Sequence, residues 1–166
     1  MAGYETKTFS KHDDYMTPKS AWENIQEYIP KDKVIWECFY GDGQSGEDLR
    51  SLGFEVIHKE IDFFESNEGE IIISNPPFSK KKEVFTRLIE LDKPFIMLCS
   101  QSLLFTQYFK KIMTDKKLQI MIPRRRIQFI KIENGEYVDT GNRCNFDCFY
   151  YCHKMNLQND IMFLGQ

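Results

Sequence analysis

The chain has 166 residues, which is enough for one domain with a hydrophobic core and too few for two domains of ordinary size. Hydrophobic residues make up 42% of it and aromatic residues 14%, and this composition excludes an intrinsically disordered protein. The net charge of −3 averages an acidic stretch at 37–70 with a basic stretch at 110–131. We therefore expect one globular domain with an acidic part and a basic part.

Neither a membrane nor a metal is expected as a partner. No apolar run approaches the roughly 20 residues of a membrane span, and no signal peptide is recognisable. The five cysteines are an odd number in a chain of this size, which favours reduced thiols and an intracellular, cytoplasmic protein. Three of them, Cys144, Cys148 and Cys152, recur every four residues beside His153, but known zinc spacings fit poorly. A core strand is the better interpretation.

The N-terminal part is predicted to be a tail followed by a helix. Residues 1–13 are polar and carry no periodicity, so we expect a mobile N-terminal tail. Thr17 is a suitable N-cap, Pro18 suits the first helical position, and apolar residues follow at helical spacing. This pattern predicts a helix from about Pro18 to Ile29.

A short apolar run at 71–74 is followed at once by an amide, two prolines and an aromatic ring. The β-branched residues of the run predict a buried strand. Pro76 and Pro77 fix φ and cannot continue a sheet ladder, so this strand is expected to end in a rigid tip formed by Asn75 to Phe78. Such a tip presents hydrogen-bond acceptors beside a stacking surface. It suits a planar ligand with an amino group on its edge, such as a nucleobase.

A glycine-rich turn joins the strand predicted at 34–39 to a helix, and its glycines let a ligand approach the backbone closely. These glycines are Gly41, Gly43 and Gly46. Their spacing, with Glu60 about 20 residues further on, also fits the dinucleotide site of a nicotinamide-dependent oxidoreductase. Against that interpretation, Glu37 precedes the turn, where a carboxylate would repel a pyrophosphate and would suit a cationic ligand.

Strand and helix signals alternate along the rest of the chain. Strands are predicted at 54–58, 94–99, 117–122, 127–132, 137–139 and 145–153, and helices at 79–91 and 101–113. Asn134-Gly135 predicts a hairpin turn. The pattern predicts an α/β, Rossmann-like fold with a mostly parallel sheet, helices on both faces and an antiparallel C-terminal hairpin. We expect a single domain at 14–153, closed by the last strand, and a C-terminal tail at 154–166 whose apolar residues could dock.

Three motifs, in this order along the chain, resemble those of a known family. They are Tyr-x-Thr-Pro at 15–18, Glu-x-Phe-x-Gly-x-Gly at 37–43 and Asn-Pro-Pro-Phe at 75–78. Together they resemble the S-adenosylmethionine-dependent N6-adenine methyltransferases, the Dam-like DNA adenine methyltransferases in a compact form. The resemblance covers about 14–153 and implies the Rossmann-like fold of class I methyltransferases.

The resemblance implies that S-adenosylmethionine is the cofactor. Its methionine end would lie against the Tyr-x-Thr-Pro element, and its amino group and sulfonium would face the acidic glycine turn. An acid after the second strand would hold the ribose, for which a solvated loop charge is nearly as good an interpretation, and an Asp-Phe pair would hold the adenine. The cofactor-binding candidates are Tyr15, Thr17, Pro18, Glu37, Phe39, Gly41, Gly43, Glu60, Asp62 and Phe63.

The resemblance also implies the catalytic residues, Asn75, Pro76, Pro77 and Phe78. The Asn75 side-chain oxygen and the Pro76 carbonyl would accept the two hydrogens of the adenine amino group, favouring the charge that develops on nitrogen. The Phe78 ring would stack on a base that has been swung out of the DNA helix.

A nucleic acid is the expected partner, with DNA favoured over RNA, and the protein would then work wherever the genome resides. The candidates for phosphate contacts are Lys80, Lys81, Lys82, Arg124, Arg125, Arg126 and Lys131. A charged strand edge that prevents aggregation is the alternative for the arginines. Only 124–143 could serve as a target-recognition element, so a homodimer or a partner chain could be required.

Other functions remain open on the sequence alone. Asn-Pro-Pro motifs also occur in enzymes that methylate amides of proteins, and an RNA adenine is chemically equivalent to a DNA adenine. A domain that keeps the fold but acts as a noncatalytic nucleic-acid-binding subunit is a third possibility.

Overall fold

The computed structural model describes residues 15–138 and 146–165. The predicted N-terminal tail, the end of the predicted recognition segment at 139–143, and Cys144 lie outside the described residues. Within the described residues, no helix is both long enough and apolar enough to cross a membrane.

The chain alternates between short strands and helices. The strands are β1 (Tyr15–Met16), β2 (Val34–Trp36), β3 (Glu55–Ile57), β4 (Ile71–Ser74), β5 (Phe95–Ser100), β6 (Gln119–Ile122), β7 (Ile130–Glu133), β8 (Glu136–Val138), β9 (Cys148–His153) and β10 (Ile161–Phe163). The α-helices are α1 (Lys19–Glu23), α2 (Gln44–Ser51), α3 (Lys81–Leu91) and α4 (Gln107–Met113). Short 3-10 helices occupy Gln26–Tyr28, Phe63–Glu65, Phe78–Lys80 and Gln101–Phe105.

A seven-stranded sheet forms the centre of the molecule, in the order β10-β6-β9-β5-β4-β2-β3. Only β9 runs antiparallel to its neighbours. The predicted α/β, Rossmann-like fold with a mostly parallel sheet is therefore confirmed. The chain leaves β2 for β3 on one side and returns to β4 on the other, so the strand order reverses between β2 and β4. Ligands of open α/β sheets bind beyond the carboxyl ends of the strands at such a reversal.

Side chains alternate between the two faces of this sheet, and each face has its own core. Trp22 of α1 and Leu49 of α2 pack with Ile35 and other strand residues on one face. Phe85 of α3 and Phe109 of α4 pack on the second face, with the strand residues whose side chains point to that face. Helices therefore cover both faces, as predicted, and hold the carboxyl edge in place.

Two predicted helices are each divided. The helix predicted at 18–29 is α1 followed by a 3-10 turn, and the one predicted at 101–113 is a 3-10 helix followed by α4. The prediction that Thr17 caps α1 is wrong, because Pro18 occupies the capping position without a side-chain hydrogen bond. Ser100, at the capping position of the second element, makes no side-chain capping hydrogen bond. Its hydroxyl lies 2.7 Å from the hydroxyl of Ser102.

Two predictions about the C-terminal part are also wrong. β9 does not close the sheet at its edge but lies between β5 and β6. The predicted tail is part of the domain over its described residues, 154–165, because β10 pairs in parallel with β6 and Leu164 is buried in the core. The sheet therefore needs a strand from the region that was predicted to lie outside the domain.

A small second sheet, in the order β1-β7-β8, lies beside the carboxyl edge of the large one. The predicted hairpin β7-β8 is confirmed, with Asn134 and Gly135 both at positive φ, as a two-residue turn of this type requires. The hydroxyl of Tyr137 on β8 donates to Asp42 Oδ2 at 2.8 Å. The hairpin is thus tied to the glycine-rich turn that follows β2.

Candidate active site

The predicted tip follows β4 directly and lies at the carboxyl edge, beside the point where the strand order reverses. Pro76 and Pro77 are buried, whereas Asn75 and Phe78 are half-buried. Pro77 is extended, with φ of −61° and ψ of 135°, and the chain then turns through Phe78–Lys80 into α3. The prolines therefore end the strand and leave the Asn75 and Phe78 side chains at the surface of the edge.

Asn75 is oriented by a residue far away in the sequence. Its amide nitrogen Nδ2 donates to the hydroxyl oxygen of Thr17 at 3.1 Å. Thr17 is itself buried, with 6% of its surface exposed. Because the bond engages the nitrogen, the amide oxygen Oδ1 is the atom of Asn75 that can accept a hydrogen from a ligand. The hydroxyl that was predicted to cap α1 instead holds the catalytic candidate.

Phe78 belongs to a group of four aromatic rings that the sequence did not reveal. Its ring meets Phe146 edge to face, with centroids 5.2 Å apart. Phe146 in turn stacks on Phe129 at 5.5 Å and meets Tyr15 at 5.9 Å. These residues come from distant parts of the chain, so no local pattern could have brought them together. Together they brace the Phe78 ring at the mouth of the site.

Lys81 is also part of this site, although it was predicted only as a phosphate contact. Its ammonium nitrogen lies 5.4 Å from the centre of the Phe78 ring. It donates to the hydroxyl of Ser100, at the end of β5, at 3.4 Å. Lys81 is therefore held beside the Phe78 ring, whereas Lys82 is exposed on α3.

The glycine-rich turn adopts a backbone that only glycine accepts readily. Gly41 has a φ of +59° and Gly43 a φ of +85°. A Cβ on Gly41 would lie 3.1 Å from the sulfur of Met16, and one on Gly43 would lie 2.9 Å from the hydroxyl of Tyr40. The turn therefore has a bare backbone with little room for side chains, as a close ligand contact requires.

Glu37 lies beneath this turn and joins the ends of β2 and β4. Only 2% of its surface is exposed. Its Oε1 accepts from the hydroxyl of Ser74, the last residue of β4, and from the backbone N–H of Phe39 at 3.1 Å. The resemblance implies that Glu37 faces a cation, and in the structure one of its two carboxylate oxygens, Oε1, is engaged by the protein. Its position suits a brace that holds the turn against the tip.

Burial raises the pKa of Glu37 above its usual value. The nearby His58 and the hydrogen bonds from Ser74, Phe39 and Ser45 oppose this shift without cancelling it. A carboxyl group whose pKa is raised by folding favours the folded state while it is protonated, and this contribution is lost as the pH rises through the raised pKa.

His58, which follows β3, was not singled out in the sequence. Its Nδ1 lies 2.8 Å from the backbone carbonyl oxygen of Glu37, so Nδ1 must carry the proton. Its ring stacks on Tyr40 with centroids 4.8 Å apart. A Cβ on Gly46 of α2 would lie 2.6 Å from both Cβ and Cγ of His58. The imidazole therefore sets the distance between α2 and the sheet, which explains the third glycine of the turn.

The three residues predicted to hold the ribose and the adenine of the cofactor differ in their exposure and in their contacts. Glu60 is exposed on a bend after β3. Asp62 caps the following 3-10 helix by accepting from the N–H of Phe64 at 2.8 Å. Phe63 is completely buried between Trp36 and Phe39, with centroid distances of 5.5 and 5.0 Å. Its ring cannot form a ligand surface, so a contact from Phe63 would have to use its backbone.

The basic stretch at 110–131 is divided by the fold. Lys116 and Lys117 precede β6 and lie at the amino edge of the sheet, whereas Arg124, Arg125 and Arg126 follow β6 at the carboxyl edge. Arg126 is committed to Asp147 through two hydrogen bonds of 2.9 and 2.8 Å.

The remaining predicted phosphate contacts precede or follow these arginines in the sequence. Lys131 pairs with Glu133 along β7. Lys80 is half-buried at the end of the 3-10 turn before α3. Arg124 and Arg125 are both exposed and are the strongest of the predicted contacts.

Cys148 and Cys152 lie on β9 and are buried, in agreement with the predicted core strand. Among residues 15–138 and 146–165, no three potential metal ligands from His, Cys, Asp or Glu come together.

No protein-family model and no curated protein matches the sequence. Among solved structures, the chain is similar to a predicted O-methyltransferase, Atu636 from Agrobacterium tumefaciens. The two share 11% sequence identity over 84% of this chain and 83% of that chain, with a TM-score of 0.42. A likeness of this degree does not carry an activity from one protein to the other.

Glu37→Gln should make the stability of the protein less dependent on pH. The amide keeps an acceptor for Ser74 and Phe39 but cannot ionise, so it avoids the penalty of a buried charge. We expect the free energy of unfolding of the wild type, relative to the variant, to fall as the pH rises above about 4.3. Urea unfolding between acid and neutral pH measures this difference. A difference that instead grows with pH would mean that Glu37 stabilises the fold as an anion. Glu136→Gln, at the exposed first residue of β8, is the matched control.

Proposed function

We propose that the protein is an S-adenosylmethionine-dependent methyltransferase that acts on the exocyclic N6 amino group of adenine in nucleic acid, with DNA as the favoured substrate. The observation that carries this proposal is the orientation of Asn75. Its amide nitrogen is held by Thr17, so that its oxygen is left as an acceptor at the end of β4. The resemblance of the Asn-Pro-Pro-Phe tip and the acidic glycine turn to the adenine methyltransferases supports the same reaction.

The residues around the turn fit the proposed cofactor. Gly41 and Gly43 leave a bare backbone at positive φ, and Glu37 braces the turn from below. Tyr15, Thr17 and Pro18 would line the methionine end, and Glu60 and Asp62 would face the ribose and the adenine. Held by these residues, S-adenosylmethionine would supply an electrophilic methyl group and would leave as the neutral thioether, and the amino nitrogen that accepts the methyl group would release one proton to water.

The tip would activate the amino nitrogen without a strong base. The lone pair of an adenine amino group is delocalised into the ring, which makes the nitrogen a poor nucleophile. Hydrogen bonds from its two hydrogens to Asn75 Oδ1 and the Pro76 carbonyl would favour the positive charge that develops on nitrogen during attack. The rigid prolines would keep both acceptors in place, so that little reorganisation is needed as the reaction proceeds.

Phe78 would hold the target base by stacking. Its bracing by Phe146, Phe129 and Tyr15 supports a preformed surface for a flat ring. Stacking of a base on an aromatic side chain contributes about 1–3 kcal/mol. Lys81, beside the ring, would be suitably placed for the phosphate of the same nucleotide.

Incubation with labelled S-adenosylmethionine tests this proposal directly. The label should pass to DNA, or to RNA, and should be recovered as N6-methyladenine after digestion. Label on protein amides would redirect the proposal to a protein methyltransferase, and nucleic-acid binding without transfer would favour a noncatalytic subunit. Calorimetric titration with S-adenosylmethionine and with a nicotinamide nucleotide tests the oxidoreductase interpretation. Tight binding of the nicotinamide nucleotide without binding of S-adenosylmethionine would overturn the proposal.

Thr17→Val should lower the rate of methyl transfer about three- to tenfold. Valine keeps the shape of threonine but removes the acceptor for Asn75, and one neutral hydrogen bond contributes about 0.5–1.5 kcal/mol. We expect the loss mainly in kcat, because the bond orients the amide of Asn75, and calorimetric titration with S-adenosylmethionine checks that the proposed cofactor contact of Thr17 is retained. Steady-state kinetics on an oligonucleotide measures the effect, with Thr86→Val on the exposed side of α3 as the control. An unchanged kcat would show that Asn75 is oriented by its own rotamer alone.

A further inference from the structure

A polar groove lies between the N-terminal helical segment and the chain that follows β6. Its volume is about 480 Å³. One wall carries Ser20, Asn24 and Glu27, and the opposite wall carries Arg124, Arg125 and Gln128. Leu164 and Gly165, just after β10, form its end. None of the motifs at the candidate active site contributes to these walls.

The charge of the groove favours an anion. Arg126 also lines it, but its guanidinium is committed to Asp147. Arg124 and Arg125 are exposed, and Glu27 is the single carboxylate among the described residues that line the groove. Arg124 donates to the backbone carbonyl oxygen of Gly165 at 3.4 Å. A positive excess therefore remains on the wall that follows β6.

The other groups of the groove are suited to a base edge. Asn24 Nδ2 donates to the hydroxyl of Tyr150 at 3.3 Å, which leaves the amide oxygen to face the groove wall. Gln128 also carries an amide, and its buried Oε1 has no hydrogen-bond partner within the described residues. Buried polar atoms are rarely unpaired in folded proteins, and a rotation of the Gln128 side chain toward the groove that it lines would let a ligand donor satisfy this acceptor. Amide side chains are the usual partners of base edges.

The groove lies at the carboxyl edge of the sheet, as the candidate active site does. The arginines follow the carboxyl end of β6, and β6 is three strands away from β4. With neighbouring strands about 4.8 Å apart, the two sites are separated by about 14 Å. Stacked nucleotides follow one another at about 3.4 Å along a strand, so roughly four of them, or fewer in an extended strand, span this distance.

We propose that this groove binds a nucleotide near the target adenine on the same polynucleotide strand. Arg124 and Arg125 hold its phosphate, and Asn24 and Gln128 face the edge of its base. The inference rests on the proposed function for the identity of the strand. Such a contact fixes the register of the strand and gives the enzyme a sequence preference.

Binding of a short, fluorescently labelled single strand, measured by anisotropy as a function of salt, tests the phosphate contacts. Arg124→Ala/Arg125→Ala is compared with Lys111→Ala/Lys116→Ala, which removes the same charge away from the groove. We expect the first variant to bind more weakly and to lose roughly 0.7 from the slope of log K against log salt, since the two arginines hold one phosphate and a single strand contributes about 0.7 per phosphate contact. Equal slopes in the two variants would overturn the proposal. DNA and RNA strands are titrated in parallel, and a slope loss on either strand supports it.

Methylation of substrates of different length separates this inference from the proposed function. Free adenosine is too short to reach the groove, so the arginine variant should methylate it as the wild type does, but should methylate the oligonucleotide with a higher KM. If no adenine substrate is methylated and the slopes still differ, the proposed function fails while the groove stands. If methylation occurs and both variants behave alike on the oligonucleotide, the groove fails alone.

Gln128→Ala tests the contact with the base. Wild-type protein methylating strands with randomised neighbours of the target adenine should prefer one base at one position, and this variant should flatten that preference with little change in thermal stability. A preference that is unchanged in the variant would overturn the assignment of the base edge to Gln128.

Discussion

Asn75→Ala should reduce methyl transfer by about 10²–10³-fold, the usual loss when one preorganised hydrogen-bonding group is removed from a site where charge develops. The alanine removes the oxygen proposed to accept from the amino group, and it also removes the nitrogen that is held by Thr17. The backbone of the tip should stay in place, because Pro76 and Pro77 are buried and Pro77 is extended. The loss should therefore appear in kcat, with affinity for the cofactor retained.

Single-turnover kinetics and calorimetric titration with S-adenosylmethionine, made on the same preparation, separate the two effects. Asn67→Ala, at an exposed position before β4, is the matched control and should behave as the wild type. Transfer at more than a tenth of the wild-type rate would mean that Asn75 does not contact the reacting nitrogen. Loss of cofactor binding together with transfer would mean that the tip belongs to the cofactor site.

The fold was predictable where the signal is local. The apolar runs at 71–74 and 94–99 are strands, and Asn134-Gly135 is a hairpin turn, because a few adjacent residues determine each of these elements. The strand at 145–153 was also recognisable, but its insertion between β5 and β6 was not. Strand order depends on pairing between residues that are far apart in the chain. β10 has three residues, and Ile161 and Phe163 are exposed although they are apolar, so it carries little periodicity.

The candidate site was predictable as a set of motifs but not as a set of contacts. Thr17 has the residue type and position of a helix cap, and only the fold brings Asn75, 58 positions further along, within reach of its hydroxyl. The acid Glu37 suggested a ligand contact, whereas the structure uses its carboxylate to join two strand ends. His58 has no pattern around it, and its role becomes visible only when α2 packs against it.

These contacts join the two halves of the proposed site. Glu37 connects the glycine turn to the end of β4, and Tyr137 connects the hairpin to Asp42 of the same turn. Thr17 connects the chain just after β1 to Asn75. A ligand that orders the turn would therefore act on the tip and on the hairpin as well, because all three share hydrogen bonds.

Gly46→Ala should destabilise the protein by about 1–3 kcal/mol, although helix propensity alone predicts the opposite sign. Replacing glycine by alanine inside a helix is normally favourable by about 1 kcal/mol. Here the new Cβ would lie 2.6 Å from both Cβ and Cγ of His58, and overpacking of this kind is unfavourable. His58 cannot easily move away, because it is held by the Glu37 carbonyl and by stacking on Tyr40.

Urea unfolding measures this change, and the melting temperature should fall by about 2–4 °C for each kcal/mol lost in a chain of this length. Cofactor affinity should weaken in parallel, since a displaced His58 would pull on the backbone of Glu37 beneath the turn. Glu47→Ala, at the next position of the same helix and exposed, is the control and should change stability by no more than about 0.5 kcal/mol. If Gly46→Ala is neutral or stabilising, α2 can shift away from the sheet, and the third glycine of the turn then has to be explained by a ligand and not by packing against His58.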